Sequence, residues 1–136
     1  MYDWQNKTIL VVDDDRDFCF IIQLMLKKTK ANLIITHAAD ECLEFIQDPV
    51  KSRLVDLIIL DIQMPNVSGY DTVGLIRNIN KTVPLMALTA FGMRGERQKC
   101  LDIGFTEYLA KPFEDSILFS IIENLLQRSP DGETNS

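Results

Sequence analysis

Apolar residues in this chain gather into short runs that end abruptly on charge. Thr8-Ile9-Leu10-Val11-Val12 runs into Asp13-Asp14-Asp15, and Leu57-Ile58-Ile59-Leu60 runs into Asp61. Runs rich in β-branched residues and lacking polar alternation read as strands buried on both faces, so the first acid marks where each strand leaves the core. Between them the period changes. Phe18, Ile21, Ile22, Met25 and Leu26 recur at helical spacing and predict a helix over 17–28, with Lys27 and Lys28 at the end that favours cations. Residues 33–36 predict a second short strand, and a helix through Leu43 and Ile46 stops near Asp48-Pro49, because proline disfavours a helical predecessor.

The pattern then repeats. After the strand at 57–60, a loop leads to Ser68, an N-cap residue, with Asp71 placed to help the first turn of a helix running to about 78. Residues 84–88 predict a fourth strand, Phe91-Gly92-Met93-Arg94-Gly95 a flexible lead into a short charged helix, and Gly104 its C-terminal stop. A fifth strand at 107–110 ends on Lys111-Pro112, and Ile117, Ile121, Ile122, Leu125 and Leu126 form the buried stripe of a last helix over 113–127.

Five strands alternating with five helices require right-handed crossovers and a parallel sheet covered on both faces. The predicted fold class is therefore α/β, a flavodoxin-like (βα)5 doubly wound sheet of order 2-1-3-4-5. That order sets the first and third strands side by side and brings Asp13, Asp14 and Asp61 to one edge, where ligands of open α/β sheets bind. Carboxylates converging there repel one another unless a cation sits between them. Residues 1–6 form a leading segment laid on the domain by Tyr2 and Trp4, 7–127 the domain, and 128–136 a disordered tail without apolar residues.

Composition narrows the function. At 136 residues the chain fits one domain, and a net charge of −6 argues against direct nucleic-acid binding and against attraction to anionic membranes. No stretch approaches the ~20 apolar residues that cross a bilayer, so no membrane insertion is expected. Cys19, Cys42 and Cys100 are odd in number, widely spaced and without C-x-x-C, which reads as reduced core thiols of a cytoplasmic protein. His37 is the only histidine, which excludes multi-histidine zinc sites and a Ser-His-Asp arrangement; it is expected in a surface loop.

Strands four and five end on Thr89-Ala90 and Lys111-Pro112, so the edge that carries the acids also gains a hydroxyl and an ammonium. With I-L-V-V-D-D-D, L-I-I-L-D-I-Q-M-P, A-L-T-A and Y-L-A-K-P-F in order, the sequence closely resembles the receiver domain of two-component response regulators from residue 7 to about 127. The resemblance implies that Asp61 is a phosphoacceptor, attacking the phosphorus of a phosphohistidine to become an acyl phosphate. It implies Mg²⁺ held by Asp14, Asp61 and the backbone carbonyl of Gln63, with Asp13 acting mainly through a coordinated water. Lys111 would pair with Asp61 and then with phosphoryl oxygens. Thr89 would bond a phosphoryl oxygen on its arrival, and Tyr108 would follow it, altering the surface of the fourth helix, fifth strand and fifth helix.

Gln63 and Phe91, each two residues beyond a site residue, match positions that flank the path of attacking water and are read as modulators of the acyl phosphate's lifetime. A cis peptide before Pro112 is implied too. The implied partners are a sensor histidine kinase or histidine phosphotransfer protein as donor, and a downstream effector on the switching surface; homodimerisation on phosphorylation is a further outcome. The implied role is that of a signalling phosphoacceptor that assists its own phosphotransfer and slow autodephosphorylation rather than of an enzyme. Both a stand-alone regulator and the receiver piece of a hybrid kinase fit.

Departures and rivals are specific. Ser68-Gly69 stands where the family usually carries an acid before the glycine, and Ala39 where glycine is frequent. Asp15 reads as the start of a loop, and Asp13 or Asp14 as a helix cap is the plain alternative to metal binding; Tyr108 as static core is the plain alternative to a switch. A non-phosphorylated pseudo-receiver, an interaction module on the same fold, expects a missing acid or lysine. A magnesium-dependent phosphatase needs a second aspartate where Gln63 stands, and an FMN carrier would find Asp13 to Asp15 repelling its phosphate.

Overall fold

The computed structural model describes residues 2–64, 68–90 and 92–127. Its elements run β1 (Thr8–Val12), α1 (Arg16–Lys27), β2 (Asn32–Thr36), α2 (Ala39–Gln47), α3 (Pro49–Leu54), β3 (Leu57–Asp61), α4 (Gly69–Ile79), β4 (Leu85–Thr89), α5 (Glu96–Ile103), β5 (Glu107–Ala110) and α6 (Asp115–Leu126). All strand pairs are parallel, in the order β2-β1-β3-β4-β5. The expected α/β doubly wound sheet is therefore present. Pro65, Asn66, Val67, Phe91 and the tail at 128–136 lie outside the described residues.

The unalternated strands follow from burial on both faces. Leu10, Val12, Ile58, Leu60, Leu85 and Ala87 pack against Cys42 and Ile46 of α2, Val73 and Ile76 of α4 and Cys100 of α5. Their neighbours Ile9, Val11, Leu57, Ile59, Met86 and Leu88 pack on the other side against Ile22 and Leu26 of α1 and Leu118, Ile122 and Leu125 of α6. Because side chains alternate across a strand, each strand supplies both cores and neither face can carry charge until the strand ends. The charges consequently collect at the strand termini.

One correction concerns the helices. Six are present among the described residues instead of five, because Pro49 both ends α2 and opens the short α3. The Asp48 side chain accepts hydrogen bonds from the backbone N–H groups of Val50 and Lys51 at 2.9 and 3.2 Å, and proline at a first helical position gives up no hydrogen bond. The family's fourth helix, fifth strand and fifth helix therefore correspond to α5, β5 and α6 here. No helix among the described residues is long and apolar enough to cross a membrane.

Two anchors set the strand ends. The Trp4 ring is buried, its indole N–H donates to Glu123 of α6, and its backbone N–H donates to Thr29 at 2.7 Å. Arg77 of α4 donates to the carbonyls of Gly104 and Val83 at 3.0 and 2.6 Å, joining α4 to the segments that precede β4 and β5. At the start of α4 the Ser68 hydroxyl accepts from the Tyr70 N–H, as the sequence predicts. Gly69 is required there by close approach: a Cβ would lie 2.4 Å from Ile62 Cα, the residue that follows Asp61.

The glycines of α4 thus have opposite roles. Gly69→Ala is expected to lower stability by about 1–3 kcal/mol through forced backbone displacement. Gly74→Ala, where nothing lies within 4 Å, should raise it by roughly 0.5–1 kcal/mol through helix propensity. Urea unfolding midpoints check both, and a Gly69→Ala protein as stable as the parent would contradict the packing.

Candidate functional site

Four strand ends assemble the site. Val12 pairs with Leu60 across β1 and β3, so Asp13 and Asp61 leave the sheet as neighbours; Asp61 still pairs with Leu88 of β4. Asp13 is fully buried, Asp61 is 7% exposed and Asp14 is exposed. One carboxylate oxygen from each of the three lies within 4.8 Å of the others. Only charged or hydrogen-bonded partners make such burial tolerable.

Asp13 has both oxygens engaged. Its Oδ1 accepts the Asp15 N–H at 2.9 Å and its Oδ2 accepts the Lys111 ammonium at 3.0 Å. Lys111 stands 4.0 Å from Asp61 Oδ2, so its primary partner here is Asp13, whereas the resemblance implies Asp61. The shorter distance belongs to the more deeply buried carboxylate, which has the greater need of a counter-charge. The ammonium also sits 3.8 Å from the centre of the Phe18 ring, whose face favours a cation. The Lys111-Pro112 peptide is cis, as the resemblance implies.

Asp61 is held differently. Its Oδ1 accepts the Gln63 N–H at 2.9 Å, and the Gln63 side-chain oxygen accepts the Ala90 N–H at 2.9 Å, tying the loop after β3 to the end of β4. Burial pushes the Asp61 carboxyl up to about 6; the Gln63 N–H and Lys111 oppose that rise and the Asp13 charge adds to it. Asp61 is therefore a carboxylate short of positive charge. Thr89 is fully buried at the end of β4 and accepts the Lys111 N–H on its carbonyl at 2.7 Å.

The acids of the first loop divide their work. Asp15, read from sequence as the start of a loop, caps α1 by accepting the Phe18 N–H at 3.1 Å, which leaves Asp13 and Asp14 free of that duty. His37 lies in the loop between β2 and α2, as expected, but it is half-buried there, with Nδ1 3.1 Å from the Asp13 carbonyl and 3.8 Å from Cys19 Sγ. Cys19 donates to the same carbonyl at 3.3 Å, and burial, with the Asp13 and Asp15 charges, keeps its thiol protonated by pushing it up to about 11. The missed signal was register. Val12 pairs with Thr36, so the next residue on each strand must meet the other.

Tyr108 does not join the cluster. Its hydroxyl donates to Glu96 of α5 at 2.8 Å. Phe91, a predicted modulator, lies outside the described residues.

Comparison with known proteins agrees with this architecture. A family model described as the response regulator receiver domain matches residues 9–123. The transcriptional regulatory protein CpxR of Escherichia coli (strain K12) is 36% identical over 121 residues, covering 89% of this chain and 50% of its own length. The hybrid signal transduction histidine kinase I of Dictyostelium discoideum is 32% identical over 119 residues, covering 84% of this chain and 7% of that protein. A two-component response regulator from Clostridium difficile superposes with a TM-score of 0.80 at 25% identity, covering 90% of this chain and 97% of that one. The chain spans about half the length of CpxR, the first of these relatives.

The raised Asp61 carboxyl has a measurable consequence. Its folded-state value of about 6 lies above the ordinary 3.8, so the folded protein holds the proton more tightly and stability falls as pH rises through that window. In metal-free buffer at pH 7, Asp61→Asn is expected to stabilise the protein by roughly 1–3 kcal/mol, with the gain fading below about pH 4. Urea unfolding at both pH values measures it. Destabilisation at neutral pH would show that the carboxylate is adequately compensated.

Proposed function

The chain belongs to the response regulator receiver domain family, and on that premise we propose that it accepts a phosphoryl group on Asp61 from a phosphohistidine. Receiver domains are signalling modules that interact with histidine kinases and effector domains. The observation that carries the reading is the state of Asp61: a buried carboxylate in an acidic cluster, one oxygen fixed by Gln63 and the other 4.0 Å from a lysine. In the transfer, an Asp61 oxygen bonds to phosphorus as the phosphorus–nitrogen bond breaks to a donor imidazole already protonated on its other ring nitrogen, leaving neutral histidine and an acyl phosphate.

Receiver domains bind Mg²⁺ at an acidic pocket, and the Asp13, Asp14 and Asp61 cluster has the hard-oxygen donors that this ion takes. We assign direct ligation to Asp14, Asp61 and the Gln63 carbonyl. Asp13 is assigned a water-mediated part, because donors already engage both its oxygens. Bound there, the ion supplies charge neutralisation between the acceptor oxygen and the incoming phosphoryl group. Lys111, 20% exposed on its side chain, has Asp13 as its resting partner and Asp61 at 4.0 Å, and is assigned the phosphoryl oxygens as its partners after transfer.

Phosphorylation brings roughly −2 of charge and three acceptor oxygens. Thr89 answers as a hydroxyl donor, Tyr108 follows it, and the α5–β5–α6 surface changes population. Gln63 and Phe91 set the lifetime by limiting water at the acyl phosphate. The donor is a sensor histidine kinase or a histidine phosphotransfer protein, the effector docks on α5–β5–α6, and homodimerisation accompanies phosphorylation. The setting is cytoplasmic, with no nucleic acid bound directly. The pseudo-receiver alternative expects a lost acid or lysine, and Asp13, Asp14, Asp61, Thr89 and Lys111 are all in the sequence.

Incubation with acetyl phosphate and Mg²⁺ should raise the intact mass by one phosphoryl group. Asp61→Asn or excess chelator should abolish the gain, and Lys111→Ala should slow it at least tenfold. An unmodified parent protein under these conditions and with a phosphohistidine donor would favour the interaction module. Phe91→Ala should shorten the acyl phosphate's half-life several-fold, and an unchanged half-life removes Phe91 from the water path.

A further inference from the structure

Glu96, the first residue of α5, carries two phenols on one carboxylate. Tyr108 of β5 donates to its Oε1 at 2.8 Å and Tyr70 of α4 donates to its Oε2 at 3.3 Å. Three elements separated in sequence are thereby joined on a single half-buried acid. Lys99, one turn along α5, holds its ammonium 4.2 Å from the centre of the Tyr70 ring and keeps that ring beside the carboxylate. A neighbouring ion pair, Arg97 to Glu107 at 3.1 Å, ties α5 to the start of β5 at a more exposed point.

A glutamate in a first helical turn needs no partner to be favourable there. This one has both oxygens engaged by neutral donors. Burial, together with the Glu96 charge, raises both phenols above their ordinary value, so each hydroxyl keeps its proton and donates. The backbone leading into α5 runs close by: a Cβ on Gly92 would stand 3.7 Å from the Tyr108 hydroxyl and 3.1 Å from Ala110 Cβ.

We propose that Glu96 is a positioning residue that clamps Tyr108 in the unphosphorylated arrangement, with Tyr70 as its second anchor, so that signalling by Asp61 must break a carboxylate–phenol bond. The proposal rests on the phosphoacceptor reading and adds to it the element that sets the resting population. A hydrogen bond to a charged acceptor is among the stronger ones a protein makes. Held only in one arrangement, it biases the equilibrium toward that arrangement and, by linkage, makes Asp61 harder to phosphorylate. Released, it leaves a larger competent fraction.

The test combines a rate with a direct view of the rings. With acetyl phosphate and Mg²⁺, Glu96→Ala should phosphorylate roughly 3- to 10-fold faster than the parent, the range expected for loss of one such bond near the surface. Tyr70→Phe should give a smaller gain, and Glu96→Ala should give no gain in a Tyr108→Phe background, because the bond it breaks is already gone. Independently, 3-fluorotyrosine labelling gives a ¹⁹F spectrum of the three tyrosines, assigned by single Tyr→Phe changes. Glu96→Ala should move the Tyr70 and Tyr108 resonances of the unphosphorylated protein and leave that of Tyr2 in place.

A Tyr108 resonance unmoved by Glu96→Ala overturns the clamp, as does an unchanged rate or a gain that persists without the Tyr108 hydroxyl. A merely structural Glu96 would lower the urea midpoint without altering the rate. If the parent takes no label at all, the phosphoacceptor reading fails, while the fluorine spectrum still decides whether Glu96 holds Tyr108.

Discussion

Holding three carboxylates within 4.8 Å of one another against their mutual repulsion is the constraint on which the rest of this molecule depends. Asp13 is wholly buried and is tolerated because Lys111 lies 3.0 Å away and a backbone N–H takes its other oxygen. Removing one partner of a buried pair generally costs about 3–5 kcal/mol, since a charge is left without compensation. Asp61 receives less help, and its raised carboxyl records the shortfall. The cluster is therefore acidic and only partly compensated, with Lys111 as the ammonium shared between Asp13 and Asp61.

The sheet sets this arrangement without any long side-chain network. Two apolar cores on opposite faces of the same strands forbid charge along β1, β3 and β4, and parallel pairing aligns the strand ends. Asp13, Asp61, Thr89 and Lys111 meet because their strands terminate in register at one edge. Gly69 and Gln63 then fix the loop beyond Asp61, one by letting α4 approach Ile62, the other by bonding Ala90. On the far side of β4 the tyrosine pair on Glu96 links that edge to α4 and α5.

The three central strands were legible in the sequence because burial on both faces leaves an unalternated apolar run, a pattern few other environments produce. The half-buried edge strands β2 and β5 followed from the alternation with helices. The convergence of Asp13, Asp14 and Asp61 followed from the strand order. What escaped was contact chemistry. Pro49 signalled a helix end, yet its suitability for a first helical turn, with Asp48 as the cap, hid α3. Lys111 does stand beside Asp61, but the sequence does not say which of two acids is buried more deeply and so takes the shorter contact. His37 is the loop residue it looked like, but only the β1–β2 register sets it against Asp13. Glu96 resembled an ordinary first-turn acid, and only the folded chain brings residues 70 and 108 to it.

On the proposed function Asp61, among the clustered acids, is the group that takes the phosphoryl. Borohydride reduces an acyl phosphate to an alcohol and leaves free carboxylates untouched, so reduction after phosphorylation followed by peptide mapping marks the acceptor. Homoserine is expected at position 61 alone. Reduction at Asp13 or Asp14, or phosphorylated protein with no reducible acyl phosphate, would contradict it.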